Sequence, residues 1–253
     1  MIAISLQSGS TGNCIYVETK DVKLLFDAGI SGVEVSRRLA SYGRDIRDID
    51  ALIISHDHVD HVRYAGVYQR KFGLPLFITP KTLERAAERN RLGPLDNINF
   101  FPAGEELQFN DVSVQTIPCP HDGIDGVAFV ISYQKKHLGI LTDLGHVFNE
   151  LVTVISSLDA VFIESNYDTE MLDRGPYPAF LKERIRGPQG HLSNTDAAEL
   201  LQKGSRLKWA CLSHISENNN NPATALKTHR GILGESLPLY AASRYRATGI
   251  FNI

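Results

Sequence analysis

The 253-residue chain is poor in cysteine, methionine and tryptophan, with three, two and one of each. Cys14, Cys119 and Cys211 are odd in number, far apart and set in or beside apolar, strand-like segments. That pattern argues against a disulfide framework and for free core thiols in a reducing cytoplasm, with Cys119 also placed to support a neighbouring ligand. No apolar run approaches the roughly 20 residues needed to cross a bilayer, so no membrane span is expected. The opening Met1-Ile2-Ala3-Ile4-Ser5 lacks a basic start and a long apolar stretch, so no secretion signal is expected. There is no linker, short-period repeat or low-complexity tract. The run Asn218-Asn219-Asn220-Asn221 is too short to count as one. What remains is the profile of one α/β domain over 1–253, long enough for a two-sheet core.

A net charge of −3 conceals an asymmetry: residues 182–253 carry +5 and the remainder −8. An acidic body with a basic C-terminal third is compatible with an anionic polymer crossing one side, and equally with solvated helix faces.

The densest signal is His56-Asp57-His58-Val59-Asp60-His61, which holds three of the nine histidines in the chain. It follows the apolar run Ala51–Ile54, which reads as a buried strand. Positions 56 and 58 share the two-residue strand period, so both imidazoles can point the same way. Asp60 and His61 fall on the expected turn into the next segment. A strand-to-helix turn normally uses Gly, Asn or Ser. One short loop can thus supply ligands to two metal ions.

Around this loop the sequence predicts strands at Ala3–Leu6, Cys14–Glu18, Val22–Phe26, Pro75–Ile78, Ile98–Phe101, Glu106–Phe109, Val112–Ile117, Val127–Tyr133, His137–Leu141, Ala160–Ile163 and Leu207–Leu212. Helices are expected over Ser31–Tyr42, Val62–Phe72, Lys81–Arg89, Phe148–Ser156 and Ser193–Gln202, with another opened by Pro222 and capped by Asn221.

The histidine run resembles the His-x-His-x-Asp-His motif of the metallo-β-lactamase superfamily. Further motifs match in order: Asp27 in Leu24-Leu25-Phe26-Asp27-Ala28-Gly29, His121 in Pro118-Cys119-Pro120-His121-Asp122, Asp143 in Ile140-Leu141-Thr142-Asp143, and His214 in Cys211-Leu212-Ser213-His214. The resemblance implies an α/β fold of the metallo-β-lactamase class, an αββα four-layer sandwich of two mixed sheets flanked by helices. It implies two divalent metal ions: His56, His58 and His121 on one, Asp60, His61 and His214 on the other, and Asp143 bridging. Zinc suits the imidazole-rich set, while shared carboxylates admit manganese or iron. Such a pair lowers the pKa of water and binds phosphate oxygens, with Asp60 also accepting the nucleophile's proton. Position 58 is His where redox di-iron relatives carry glutamate, which implies hydrolysis.

Two more residues narrow the substrate. Glu164 ends the strand Ala160–Ile163, and His191 stands in Gly190-His191-Leu192-Ser193-Asn194. The pair resembles the phosphodiesterase branch, in which a glutamate orients a histidine that protonates the leaving oxygen. A nucleotide oxygen leaves poorly unless protonated. Ser8-Gly9-Ser10-Thr11-Gly12-Asn13-Cys14, Gly190–Asn194 and His214-Ile215-Ser216-Glu217-Asn218-Asn219-Asn220 together resemble the YycJ/WalJ family of bacterial 5′-to-3′ exonuclease-like proteins over essentially the whole chain. That implies a DNA exonuclease with a DNA strand as partner. The +5 excess of the C-terminal third, in which His191 and His214 lie, leads us to expect the strand on that side, contacting some of Lys182, Arg184, Arg186, Arg244 and Arg246. The Asn218–Asn221 run reads either as a contact to phosphate or base, or as a helix-capping turn. Competing readings are a cyclic-nucleotide or dinucleotide phosphodiesterase, an ester, thioester or lactam hydrolase that would not need Glu164 and His191, and a non-catalytic regulatory binding protein, which would be expected to lack a ligand.

Overall fold

Apolar runs bounded by turn residues set the strands of the first half. In a computed structural model describing residues 1–253, β1 (Ile2–Gln7), β2 (Cys14–Glu18) and β3 (Lys23–Phe26) form an antiparallel meander, and α1 (Gly32–Ala40) follows. Then come β4 (Ala51–Ile53), α2 (Val59–Val62), α3 (Ala65–Phe72), β5 (Leu76–Ile78), α4 (Pro80–Arg89) and β6 (Ile98–Phe100). Strands β3 to β6 are parallel, each joined to the next by helix, as the crossover requirement of parallel strands demands.

The hairpin β7 (Glu106–Phe109) and β8 (Val112–Pro118) precedes β9 (Val127–Tyr133) and β10 (Lys136–Leu141), which pair antiparallel. After α5 (Asn149–Ser157) come β11 (Ala160–Glu164), α6 (Thr169–Arg174), α7 (Ala179–Arg186), α8 (Asn194–Leu201), β12 (Trp209–Ser213), α9 (Pro222–Leu233), β13 (Leu239–Ala241) and β14 (Phe251–Asn252). Strands β10 to β13 are parallel neighbours. Two seven-stranded mixed sheets result, in the orders β14-β1-β2-β3-β4-β5-β6 and β13-β12-β11-β10-β9-β8-β7.

Chain contacts divide the molecule into two units: Met1–Pro118 with Gly123–Val127 and Ser243–Asn252, and Cys119–Asp122 with Ala128–Ala242 and Ile253. The first buries Ile4, Leu6, Tyr16, Leu25, Leu39, Leu52, Ile54, Tyr68 and Leu76 in one apolar cluster. In the second, Phe162 and Trp209 pack edge to face at 5.4 Å, and Ile131, Leu138, Leu212 and Leu201 are buried. No helix is long and apolar enough to cross a membrane.

Several expectations need correction. Asp60 and His61 lie in the single helical turn α2, not in an irregular turn, and the helix expected over 62–72 is broken at Arg63–Tyr64. Helices α6 and α7 and strands β13 and β14 were not foreseen. The sequence shows no amphipathic stripe there because α7 buries no residue and α6 buries only Leu172. Asn221 does cap α9, accepting the Thr224 N–H at 2.9 Å, and Ser193 with Asp196 forms the expected capping box.

The parallel strands determine where functional side chains gather. Phe26, Ile53 and Phe77 are in register, so the chain leaves β3 and β4 at the same sheet edge, toward Asp27 and His56. In the second unit Leu141, Ile163 and Leu212 are in register, so Asp143, Glu164 and His214 emerge side by side. Ligand sites in α/β proteins sit outside the carboxyl ends of parallel strands for this reason.

Candidate metal centre

In the first unit, Asp27 organises the histidine loop. Its Oδ1 accepts the Ser55 N–H (2.8 Å), and its Oδ2 accepts the Ser55 hydroxyl (3.0 Å) and meets His61 Nδ1 (2.7 Å). Ser55 Oγ also meets His56 Nδ1 at 2.9 Å. The His56 ring lies 4.6 Å from that of His58 and 4.1 Å from that of His61. Asn13 Nδ2 lies 2.9 Å from His61 Nε2 and donates to Asp60 Oδ2 at 3.2 Å. Asp57 takes no part in this cluster: its oxygens accept from Arg89 Nη1 and from the Ile124 N–H, both at 2.8 Å. Gly29 lets the loop close, since a Cβ there would lie 1.8 Å from the Asp60 carbonyl oxygen.

In the second unit, the ligating atoms of Asp143, Glu164, His191 and His214 lie within 4.8 Å of one another. Asp143 Oδ1 is 3.8 Å from His121 Nε2, 3.5 Å from His214 Nε2 and 3.6 Å from His191 Nδ1. His121 Nδ1 bonds the Gly190 carbonyl at 2.8 Å. Glu164 is wholly buried. Its Oε1 meets His191 Nδ1 at 2.5 Å, while its Oε2 accepts the N–H groups of Leu144 (3.1 Å) and Leu192 (3.2 Å). The His191 and His214 rings stack at 5.3 Å with 23° between planes. The Asn166 carboxamide meets His214 Nδ1 at 3.1 Å and donates to the His214 carbonyl at 3.0 Å.

These donors suit a divalent metal. Nδ1 of His56, His61 and His121 faces a hydroxyl, a carboxylate and a carbonyl, which orients each ring with Nε2 on its far side, and ligating histidines in proteins are held in this way; at His61 a metal would take the place of Asn13 Nδ2 beside Nε2. The backbone carries a matching signature. Asp27, Asp143 and His214 sit at φ of 65°, 57° and 52°, a region unfavourable to side-chain-bearing residues. Such strain persists where surrounding structure enforces it, and it concentrates at functional sites. No cysteine belongs to any of these groups of candidate ligands.

A family model described as a β-lactamase superfamily domain matches residues 23–215. The chain is 36% identical over 219 residues to an exodeoxyribonuclease WalJ of Streptococcus pneumoniae, covering 85% of this chain and 81% of that protein. It is 34% identical over 234 residues to an exodeoxyribonuclease YycJ of Bacillus anthracis, covering 91% and 88%. The chain belongs to the β-lactamase superfamily, in the WalJ/YycJ family. The structure of YhfI from Bacillus subtilis, a metallo-β-lactamase fold protein 14% identical in sequence, superposes with a TM-score of 0.76 over the whole of both chains. The expected metallo-β-lactamase fold, of the αββα class, is therefore the one found.

Some residues at the site are not marked out by the sequence. Ser55 and Asn166 touch the candidate histidines, yet in the sequence each is a polar residue at a strand end with nothing to set it apart. Asn219 and Asn220 are buried at 0% and 3% exposure. Asn220 Nδ2 donates to the carbonyls of Ser165 (2.9 Å) and Asn166 (3.2 Å) and to Asn194 Oδ1 (2.8 Å). Asn220 therefore braces the loops that bear Glu164, Asn194 and His214, and Asn221 caps α9, in line with the helix-capping reading of the run. Three of the five suggested strand contacts are already engaged: Arg184 pairs with Asp122, Arg186 with Asp173, and Lys182 donates to the Asp173 carbonyl.

Proposed function

We propose that this chain is a dinuclear metal-dependent phosphodiesterase that degrades DNA from the 5′ end. The observation that carries this reading is the Glu164–His191 pair at 2.5 Å, set 3.6 Å from the Asp143 carboxylate. An ester, thioester or lactam hydrolase has less need of an oriented proton donor at this place, whereas a nucleotide oxygen needs one to leave. The relatives named exodeoxyribonuclease support the same substrate class.

In this reading His56, His58 and His121 hold one divalent ion, Asp60, His61 and His214 the other, and Asp143 both. Zinc fits the imidazole-rich set, and manganese or iron fits the carboxylates. When bound, such ions supply Lewis acidity toward the phosphate and lower the pKa of water. The protein's own groups do the rest. Asp60 accepts the nucleophile's proton. His191, fixed through Nδ1 by Glu164, delivers a proton from Nε2 to the departing oxygen. Asp27 and Ser55 hold the rings of His61 and His56, and Asn166 holds that of His214.

The chain is proposed to work as one metallo-β-lactamase-fold domain over 1–253, the span along which the ligand motifs follow one another in order. Three free cysteines accord with a reducing cytoplasm.

The test is metal-reconstituted protein incubated with DNA and RNA strands labelled at either end. Progressive release of short products from a 5′ label on DNA is expected. Products from the 3′ end, or cleavage confined to cyclic and dinucleotide phosphates, would replace this reading.

A further inference from the structure

The first unit contains an apolar cavity of about 540 Å³ between Pro80, Lys81, Phe100, Phe101, Pro102 and Asp125. Its size falls within the usual range of ligand pockets, roughly 300–1,000 Å³. Phe100 ends the edge strand β6 and is 57% exposed, unusual for a large aromatic side chain.

The place of this cavity in the fold is informative. Ile78 and Phe100 are in register, so Pro80, Lys81 and Pro102 leave the sheet at the same carboxyl edge as Asp27 and His56. Strand β6 is two positions from β4, which puts the cavity about 10 Å along that edge from the histidine loop. The rim is tied to the loop directly. Ile124 donates its N–H to Asp57 at 2.8 Å, and Val127 donates its N–H to the Ser55 carbonyl at 3.1 Å. Asp125 therefore lies between two tethers to the residues that flank His56. Gly123 completes the close approach, because a Cβ there would lie 2.8 Å from His56 Cδ2.

Lys81 puts one exposed cation on the rim of the cavity. Lys81, Arg85 and Arg89 are spaced by four along α4 and so share one helix face. Each is paired with a carboxylate, on Asp125, Glu88 and Asp57. Lys81 and Asp125 are 3.3 Å apart with the lysine side chain 64% exposed, and so exposed a pair is weak enough for a phosphate to displace. Another cavity, about 530 Å³ beside Leu201, Leu207 and Leu237, has no charged residue in its lining.

We propose that the cavity at Phe100 and Lys81 is a nucleobase subsite. It holds an unpaired base of the nucleic-acid strand against the Phe100 ring, while Lys81 takes an adjoining phosphate. Aromatic stacking tolerates any base, since every base presents a π face. The subsite deepens the phosphodiesterase reading and rests on it. It adds that the strand must be single or frayed near the cleaved end.

The test uses metal-loaded protein and end-labelled single strands protected by phosphorothioate linkages, with one abasic site moved stepwise from the 5′ end. The wild type should lose affinity about 5- to 150-fold at one position only, the scale of a single base–aromatic stack. Phe100→Leu, which keeps apolar volume, should bind the intact strand more weakly and show no loss at that position. Phe100→Trp should restore the selective loss. An equal loss wherever the abasic site lies, or a selective loss retained by Phe100→Leu, overturns the subsite and leaves the phosphodiesterase reading standing. Failure of the wild type to bind the intact strand at all overturns both.

Discussion

Glu164 and His191 pair a buried carboxylate with a partly exposed imidazole, and the carboxylate is held on both of its oxygens. One carboxylate oxygen meets Nδ1 at 2.5 Å, and the other accepts two backbone N–H groups. A carboxylate anchored in this way cannot follow the ring if it turns, so the ring stays with Nδ1 toward Glu164 and Nε2 away from it.

His191→Ala should keep metal content and fold while slowing DNA cleavage about 10²- to 10⁴-fold, the usual scale of general acid catalysis. A nitrophenyl phosphodiester, whose leaving group needs no proton, should lose far less. Equal losses on both substrates would mean that His191 binds or holds structure instead.

Asp27→Asn tests the support of the histidine loop. Asn tolerates the left-handed backbone that Asp27 adopts at φ 65°, so the substitution isolates the carboxylate's hold on Ser55 and His61. Metal affinity, measured by competition with a chelator, should fall about 10- to 100-fold, as for other residues that orient a ligating histidine. Unchanged affinity would remove His61 from the ligand set.

His229 makes stability depend on pH. Burial in α9 lowers its pKa from 6.5 to about 4. Between those values the unfolded chain binds the proton and the folded chain does not. Stability is therefore full above pH 6.5 and declines as the pH falls toward 4, by about 3 kcal/mol in total. Urea unfolding at pH 7, 5.5 and 4 should show His229→Leu losing less over this interval than the wild type. Parallel losses would show that other groups set the acid response.

Strand binding should weaken as salt rises, with a slope of about −0.7 per phosphate contact for single strands. Neutralising Arg246 should lower both affinity and slope. Neutralising Arg184 or Arg186 should have a smaller effect, because Asp122 and Asp173 already pair with them. A salt-independent titration would point to a small-molecule substrate.

Much of the fold was legible because apolar runs such as Leu24–Phe26 and Val161–Ile163 are buried on both sheet faces and punctuated by turn residues. Helix α7 was not legible, because an element that buries nothing leaves no period in its sequence. Strands β13 and β14, of three and two residues, are too short to show one. The candidate ligands stood out because histidine and aspartate at those spacings have few other uses. Asn166 and Asn220 did not, since each gains its role from partners 48 and 54 residues away in the chain. Such pairings follow from the folded path of the backbone, which residue type alone does not encode.

The left-handed conformations at Asp27, Asp143 and His214 set the chemistry of this protein against its durability. Only glycine accepts that geometry without penalty, so glycine at position 143 or 214 would relieve a conformational cost of about 1 kcal/mol or more. A population of variants screened for thermal resistance alone should therefore drift toward glycine at these positions and lose its ligands as it does so. The persistence of aspartate and histidine there would then report selection for activity, against the preference of the polypeptide itself.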